Sequence, residues 1–280
     1  MTVESELAHD SGFLEQVIES GGRLPEGMNE ASFVRALLQN LGSPDAYMRD
    51  KLTYRLLATV IPRNTLSDSD IEGLLRIGVD DAHLFLGIGE VDEDSVFMRS
   101  FSVLLIPMIV GSDKKAGRLP AQVVTDVTDA VLRYAAMERD RRGYVPGKGW
   151  AHSVAHTADA LMACGLHPTT SASQGKKILE GVRLLATVSS PLAHLEDDRL
   201  AFAAFSIIRR GVTPEGDVER WIDGFWLPED EGHDGEETIS GGNAEHFLRS
   251  LYFRFLHDNP ASQWLPKILT TLARFDIYQI

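Results

Sequence analysis

The chain has 280 residues, 44% hydrophobic and 24% charged, and carries a net charge of −14 from 27 basic and 41 acidic side chains. That length and apolar content supply a sizeable core, and a single cysteine excludes a disulfide framework. A field this negative repels phosphate backbones and excludes general nucleic-acid binding.

In chain order, residues 11–20 read as a first helix with Phe13, Leu14, Val17 and Ile18 on one side, ended by Gly21-Gly22. A second runs from Asn29 to Leu41, with Phe33, Leu37 and Leu41 four apart. Ser43-Pro44-Asp45 combines a serine cap, a proline at the first helical position and an acid in the first turn, so it should open a helix through Arg49 to Pro62. Ser67 and Asp70 form a capping arrangement before Ile71, Leu74 and Leu75. Asp81–Leu86 adds a helical turn, and Asp92–Asp94 caps an apolar helix over Val96–Val110. The most apolar run, Phe101–Val110, is about half a membrane span and holds Pro107, so no membrane association is expected. Lys114–Leu119 is a loop, and Pro120 opens a long amphipathic helix ending near Arg139.

A Gly/Pro loop, Gly143–Gly149, then leads into a helix from about Trp150 to Leu166. Further helices are expected over Gln174–Val188, from Ser190-Pro191 to Ile208, and over Pro214–Trp226. Residues 228–243 are acidic and Gly-rich and read as a mobile loop. Helices over Ala244–His257 and Trp264–Ile277 close the chain. Cys164 sits in the apolar run Ala160–Cys164 and should be a buried, inert thiol. One thiol, and an acidic start without the basic and apolar regions of a signal peptide, give a cytoplasmic expectation.

No series of alternating β segments occurs, so the fold class is all-α. Arg49, Arg99, Arg199 and Arg249 each begin a comparable helical run, with spacings of 50, 100 and 50. The missing member falls at Gly149-Trp150. That spacing points to one domain over residues 1–280, a HEAT-like solenoid of antiparallel helix pairs. The four arginines then read as ladder residues paired with Asp45, Asp94, Asp197 or Glu245.

Where the repeat breaks its pattern, His152, His156 and Asp159 recur at i, i+4 and i+7, a spacing that puts them on one helical stripe. Three chemistries suit that stripe. Two histidines four apart can share a divalent metal, with Asp159 as a third ligand or an orienting carboxylate and Glu138, Asp140 or His194 as further donors. The glutamate of the His-Glu-x-x-His signature is absent, since Ser153 stands there. A histidine held by an aspartate also suits acid–base work in a hydrolase, with His152, His156 and Asp159 catalytic. In the third, Arg142, Tyr144, Lys148 and Trp150 clamp an anionic or aromatic small molecule, or a protein partner, beside the stripe. A purely structural role, with the column crosslinking neighbouring helices, fits the same spacing.

The runs Glu138–Tyr144, Lys148-Gly149-Trp150-Ala151-His152 and Ala155-His156-Thr157-Ala158-Asp159, with Val96–Ser102 upstream, resemble a bacterial family known as domain of unknown function 2785. The likeness extends over about residues 30–275. It implies a helical protein and no particular activity. It also implies that Arg142, Trp150, His152, His156 and Asp159 line a ligand or reaction site, with Arg99 and Ser100 facing the same cavity.

Overall fold

The computed structural model describes residues 2–63, 65–225 and 235–275. It is mostly helical, as the periodicity requires, and divides into two compact units, Met1–His167 and Pro168–Ile280, where one continuous array was expected.

The first unit contains α1 (Val3–Leu7), α2 (Ser11–Glu19), α3 (Glu30–Leu37), α4 (Arg55–Val60), α5 (Asp68–Gly78), α6 (Ser95–Ser102), α7 (Leu105–Ala116), α8 (Ala121–Met137), strands β1 (Tyr144–Val145) and β2 (Gly149–Trp150), and α9 (Ser153–Leu166). The caps do what their residue types dictate. Asp10, Asn29 and Ser67 each accept a hydrogen bond from the backbone N–H three residues on, opening α2, α3 and α5. The Ser43-Pro44 start differs from expectation. Ser43 Oγ accepts from Asp45 N, but the residues that follow, Tyr47–Tyr54, form a π-helix that merges into α4. The expected Val96–Val110 helix is broken at Val103-Leu104 into α6 and α7. Pro107 has no N–H to give the Val103 carbonyl, and its ring crowds that position. Ser95–Ala116 as a whole is apolar and long enough to cross a membrane, yet 78% of its apolar window is buried inside the protein.

The core of this unit forms around α9, which packs against α6, α7 and α8. Val154, Ala155, Ala158, Ala160, Leu161, Ala163 and Cys164 are all buried, so this helix is apolar nearly all round. Its alanines let the neighbouring helices approach closely. Asp113 near the end of α7 accepts from Arg118 N and Leu119 N and meets His167 Nε2 at 3.2 Å, which fixes the turn into α8 against the end of α9.

The second unit contains α10 (Ala172–Ala186), α11 (Glu196–Arg210), α12 (Glu215–Asp223), α13 (Gly235–Asp258) and α14 (Trp264–Leu272). Ser171 and Gln174 close a full capping box on α10. Ser190-Pro191 opens no helix: α11 starts only at Glu196, after Leu195 in the left-handed region. Residues 235–243, expected in the acidic loop, form the first turns of α13, and Asn243 is buried with its amide on Val188 O and Ser190 O. Glycine lowers helix propensity but does not forbid a helix held by such tertiary bonds. The rest of that expected loop, 228–234, lies outside the described residues.

The four spaced arginines are not equivalent. Arg49 and Arg99 are fully buried, whereas Arg199 and Arg249 are exposed. Arg249 pairs with Glu245 as expected, but Arg49 pairs with Asp50 and Arg99 with Glu138.

Candidate functional site

The β1–β2 hairpin, absent from the sequence expectation, carries the exposed part of the central motif. It pairs Tyr144 with Trp150 and Val145 with Gly149. Ala151 N to Gly143 O and His152 N to Arg142 O extend the pairing. Its inner side packs Ala151 and Val145 on Val96 and Phe97 of α6.

Arg49 holds the hairpin in place. Its side chain, fully buried in the π-helical turn, donates to Lys148 O at 2.8 Å, Trp150 O at 3.4 Å, Ser43 O at 2.6 Å and Asp50 Oδ1 at 3.0 Å. The guanidinium lies over the rings of Phe97 and Phe101 at 4.1 and 4.8 Å. Each of the three guanidinium nitrogens finds an acceptor, which is how a buried guanidinium is tolerated. Gly149 is required here: its φ is +83°, and a Cβ would come within 2.8 Å of the Ala46 methyl.

On the outer side, Trp150 is 39% and Tyr144 52% exposed. The Tyr144 ring stands edge-on to Trp150 at 5.1 Å. The His152 ring lies flat on the indole, 4.2 Å away and 3° from parallel. His152 can do this because it is not in the helix. Its φ of 52° and ψ of 35° are left-handed, and α9 begins at Ser153. The single stripe expected for His152, His156 and Asp159 is therefore broken at its first member. The two imidazoles are 5.8 Å apart and tilted by 57°. His156, one turn into α9, donates Nδ1–H to Ser100 O at 2.9 Å and packs edge-on to Phe101 at 5.1 Å. A carbonyl accepts only, so Nδ1 carries a proton. Asp159 lies further along α9, half-buried.

Among the described residues no group of three or more His, Cys, Asp or Glu is placed to hold a metal ion. His152, His156 and Asp159 thus do not form the expected divalent-metal set. The further donors considered for it are committed elsewhere. Glu138 receives Arg99, Arg139 N and Asp140 N, Asp140 receives Arg142 and Asp92 N, and the His194 ring in the second unit lies 3.8 Å from Glu196.

The expected cationic clamp is also spoken for. Arg142 forks onto Asp140 at 2.6–3.0 Å and reaches Glu93 O, and Lys148 Nζ grips both Asp94 oxygens at 2.6 and 2.8 Å. The hydrogen bond with Asp140 raises the Arg142 pKa. Arg99 and Ser100 are both fully buried, and Arg99 spends its donors on Glu138, Ser95 Oγ and the carbonyls of Leu86, Gly87 and Glu90. Cys164 is buried as expected, and burial pushes its thiol up to about 11.

Asp50 is the residue the sequence did not reveal. It sits under the hairpin, with Oδ2 3.7 Å from where a Gly149 Cβ would lie. Desolvation raises its pKa, against the opposing pull of Arg49, Lys51 and His152. Its place beside an arginine already singled out was the one available signal.

The family model for proteins of unknown function, DUF2785, matches residues 84–253, and so includes the hairpin, α9, α11 and most of α13. No curated protein and no solved structure matches the chain.

Proposed function

The chain belongs to the DUF2785 family of proteins of unknown function, and from that premise we propose that its first unit binds a small molecule or protein partner through a flat ring laid on the Tyr144–Trp150–His152 surface. One observation carries the reading: His152 holds a left-handed backbone while its ring backs a partly exposed indole. A left-handed non-glycine residue costs about 1–2 kcal/mol, and such strain concentrates at ligand sites. Exposed tryptophan and tyrosine on a rigid mount also bind at low entropic cost. Arg142 and Lys148 are held by Asp140 and Asp94, so the exposed rings of Tyr144 and Trp150 supply the contact surface.

The test is a thermal-shift screen of the whole protein against aromatic metabolites. A true ligand at about 100 times its Kd adds about 2.7 kcal/mol of stability. Trp150→Ala and Tyr144→Ala should each remove that gain. Stabilisation that survives Trp150→Ala would show that this surface is not the binding site.

His156 favours a second reading, a hydrolase in which Nε2 takes a proton. His156→Gln should then lower turnover by about 10²–10⁴-fold on any ester found to be cleaved. We also read α7/α9 within the first unit and α11/α13 within the second as HEAT-like helix pairs, and the chain as cytoplasmic and without a nucleic-acid partner. The helix-on-helix packing, the lone thiol and the acidic charge support those readings.

A further inference from the structure

The second unit carries a feature that the hairpin site does not use. Between α11 and α13 lies a cleft of about 410 Å³, lined by Asp198, Arg249, Ser250, Phe253, Arg254 and His257. Five of these come from one face of α13, at a spacing of one turn. The volume lies within the usual range for small-molecule sites.

Its arginines each hold one carboxylate through a single nitrogen, Arg249 on Glu245 and Arg254 on Asp198. In a chain of net charge −14, the lining has two arginines and a histidine against one carboxylate. Arg254 Nη2 donates to Asp198 Oδ2 at 2.6 Å, yet its Nε is buried with no hydrogen-bond acceptor among the described residues. Arg249 reaches Glu245 with one nitrogen, and its side chain is 58% exposed. The apolar lining residue, Phe253, is 54% exposed, with its ring 6.2 Å from that of His257, and outside the lining the Arg254 guanidinium lies 4.7 Å over the ring of Phe202.

We propose that the α11–α13 cleft binds a small organic anion, with a carboxylate or phosphate head on Arg249 and Arg254 and a flat apolar ring against Phe253. Guanidinium groups suit such heads because their parallel N–H bonds match the spacing of two oxygens. The site shares no residue with the hairpin surface.

The experiment is titration calorimetry on the full chain with four probes: 1-naphthoate, 1-naphthyl phosphate, 1-naphthalenemethanol and inorganic phosphate. At least one naphthyl anion should bind one-to-one, roughly tenfold or more tighter than both the neutral alcohol and inorganic phosphate. The better of the two anions identifies the head group. Arg249→Gln and Phe253→Ala, both at exposed side chains, should each weaken that binding by roughly fivefold or more with an unchanged thermal melt, while Trp150→Ala should leave it as it is. Equal affinity for anion and alcohol, no heat with either anion, or an unchanged Kd in Arg249→Gln would each overturn the proposal.

Discussion

Arg99 and Glu138 form a buried pair, with Arg99 Nε 2.6 Å and Nη2 3.1 Å from the two carboxylate oxygens. Glu138 also receives the backbone N–H groups of Arg139 and Asp140, so it anchors the exit from α8 towards the hairpin. Removing one partner of such a pair leaves the other charged and dry. Arg99→Met should therefore cost about 3–5 kcal/mol in urea unfolding, and the double change Arg99→Met with Glu138→Leu should recover a large part of it. Additive losses in that cycle would show that the two side chains act separately. The importance of Arg99 was legible from its spacing, but its role was not. A one-dimensional pattern marks a residue as constrained without saying whether it faces a ligand or a neighbouring loop.

At the level of elements, the local signals worked where chemistry acts over three or four residues. The caps at Asp10, Asn29 and Ser67 stand at or next to their expected helix starts, Ser171 lies three residues before its own, and the apolar faces of α2, α3, α5 and α8 are the buried ones. They failed where distant contacts decide. Strands of two residues have no period to read, and the hairpin depends on Arg49. The start of α9 was read about three residues early for the same reason: Trp150 belongs to β2 and its carbonyl accepts from Arg49, and His152 takes a left-handed backbone before the helix begins. That conformation makes a sharp prediction. His152→Gly removes left-handed strain along with the ring and should change stability by no more than about 1 kcal/mol. His152→Val forces a β-branched residue into the same backbone and should lose roughly 2 kcal/mol or more in chemical denaturation. Equal stability of the two variants would mean that residue 152 is not held left-handed.

For the molecule as a whole, helix content was legible, whereas the equally spaced arginines do not mark equivalent positions, because they occupy the core of one unit and the surface of the other. The interior of the first unit also fixes how it meets alkali. Burial raises the Cys164 thiol to about 11 and lifts the Tyr134 hydroxyl well above its ordinary range. In the unfolded chain the thiol ionises near pH 8.5–9. Between that pH and about 11 the unfolded state therefore holds fewer protons than the folded one, and stability falls as pH rises. Cys164 alone should remove roughly 2–3 kcal/mol across that window and nothing below it. Urea midpoints measured from pH 7 to 11 should show this decline, and Cys164→Ala should flatten it. An unchanged slope in that variant would assign the alkaline loss to other groups.

The bonds from Arg49 to the carbonyls of Lys148 and Trp150 join positions 99 and 101 residues apart. Loop closure over such a distance precedes any reward from the contact, so the exposed rings reach their final setting only when both ends of that loop have come together. A short peptide spanning β1, β2 and the first turn of α9 would keep the letters of the motif and lose its shape.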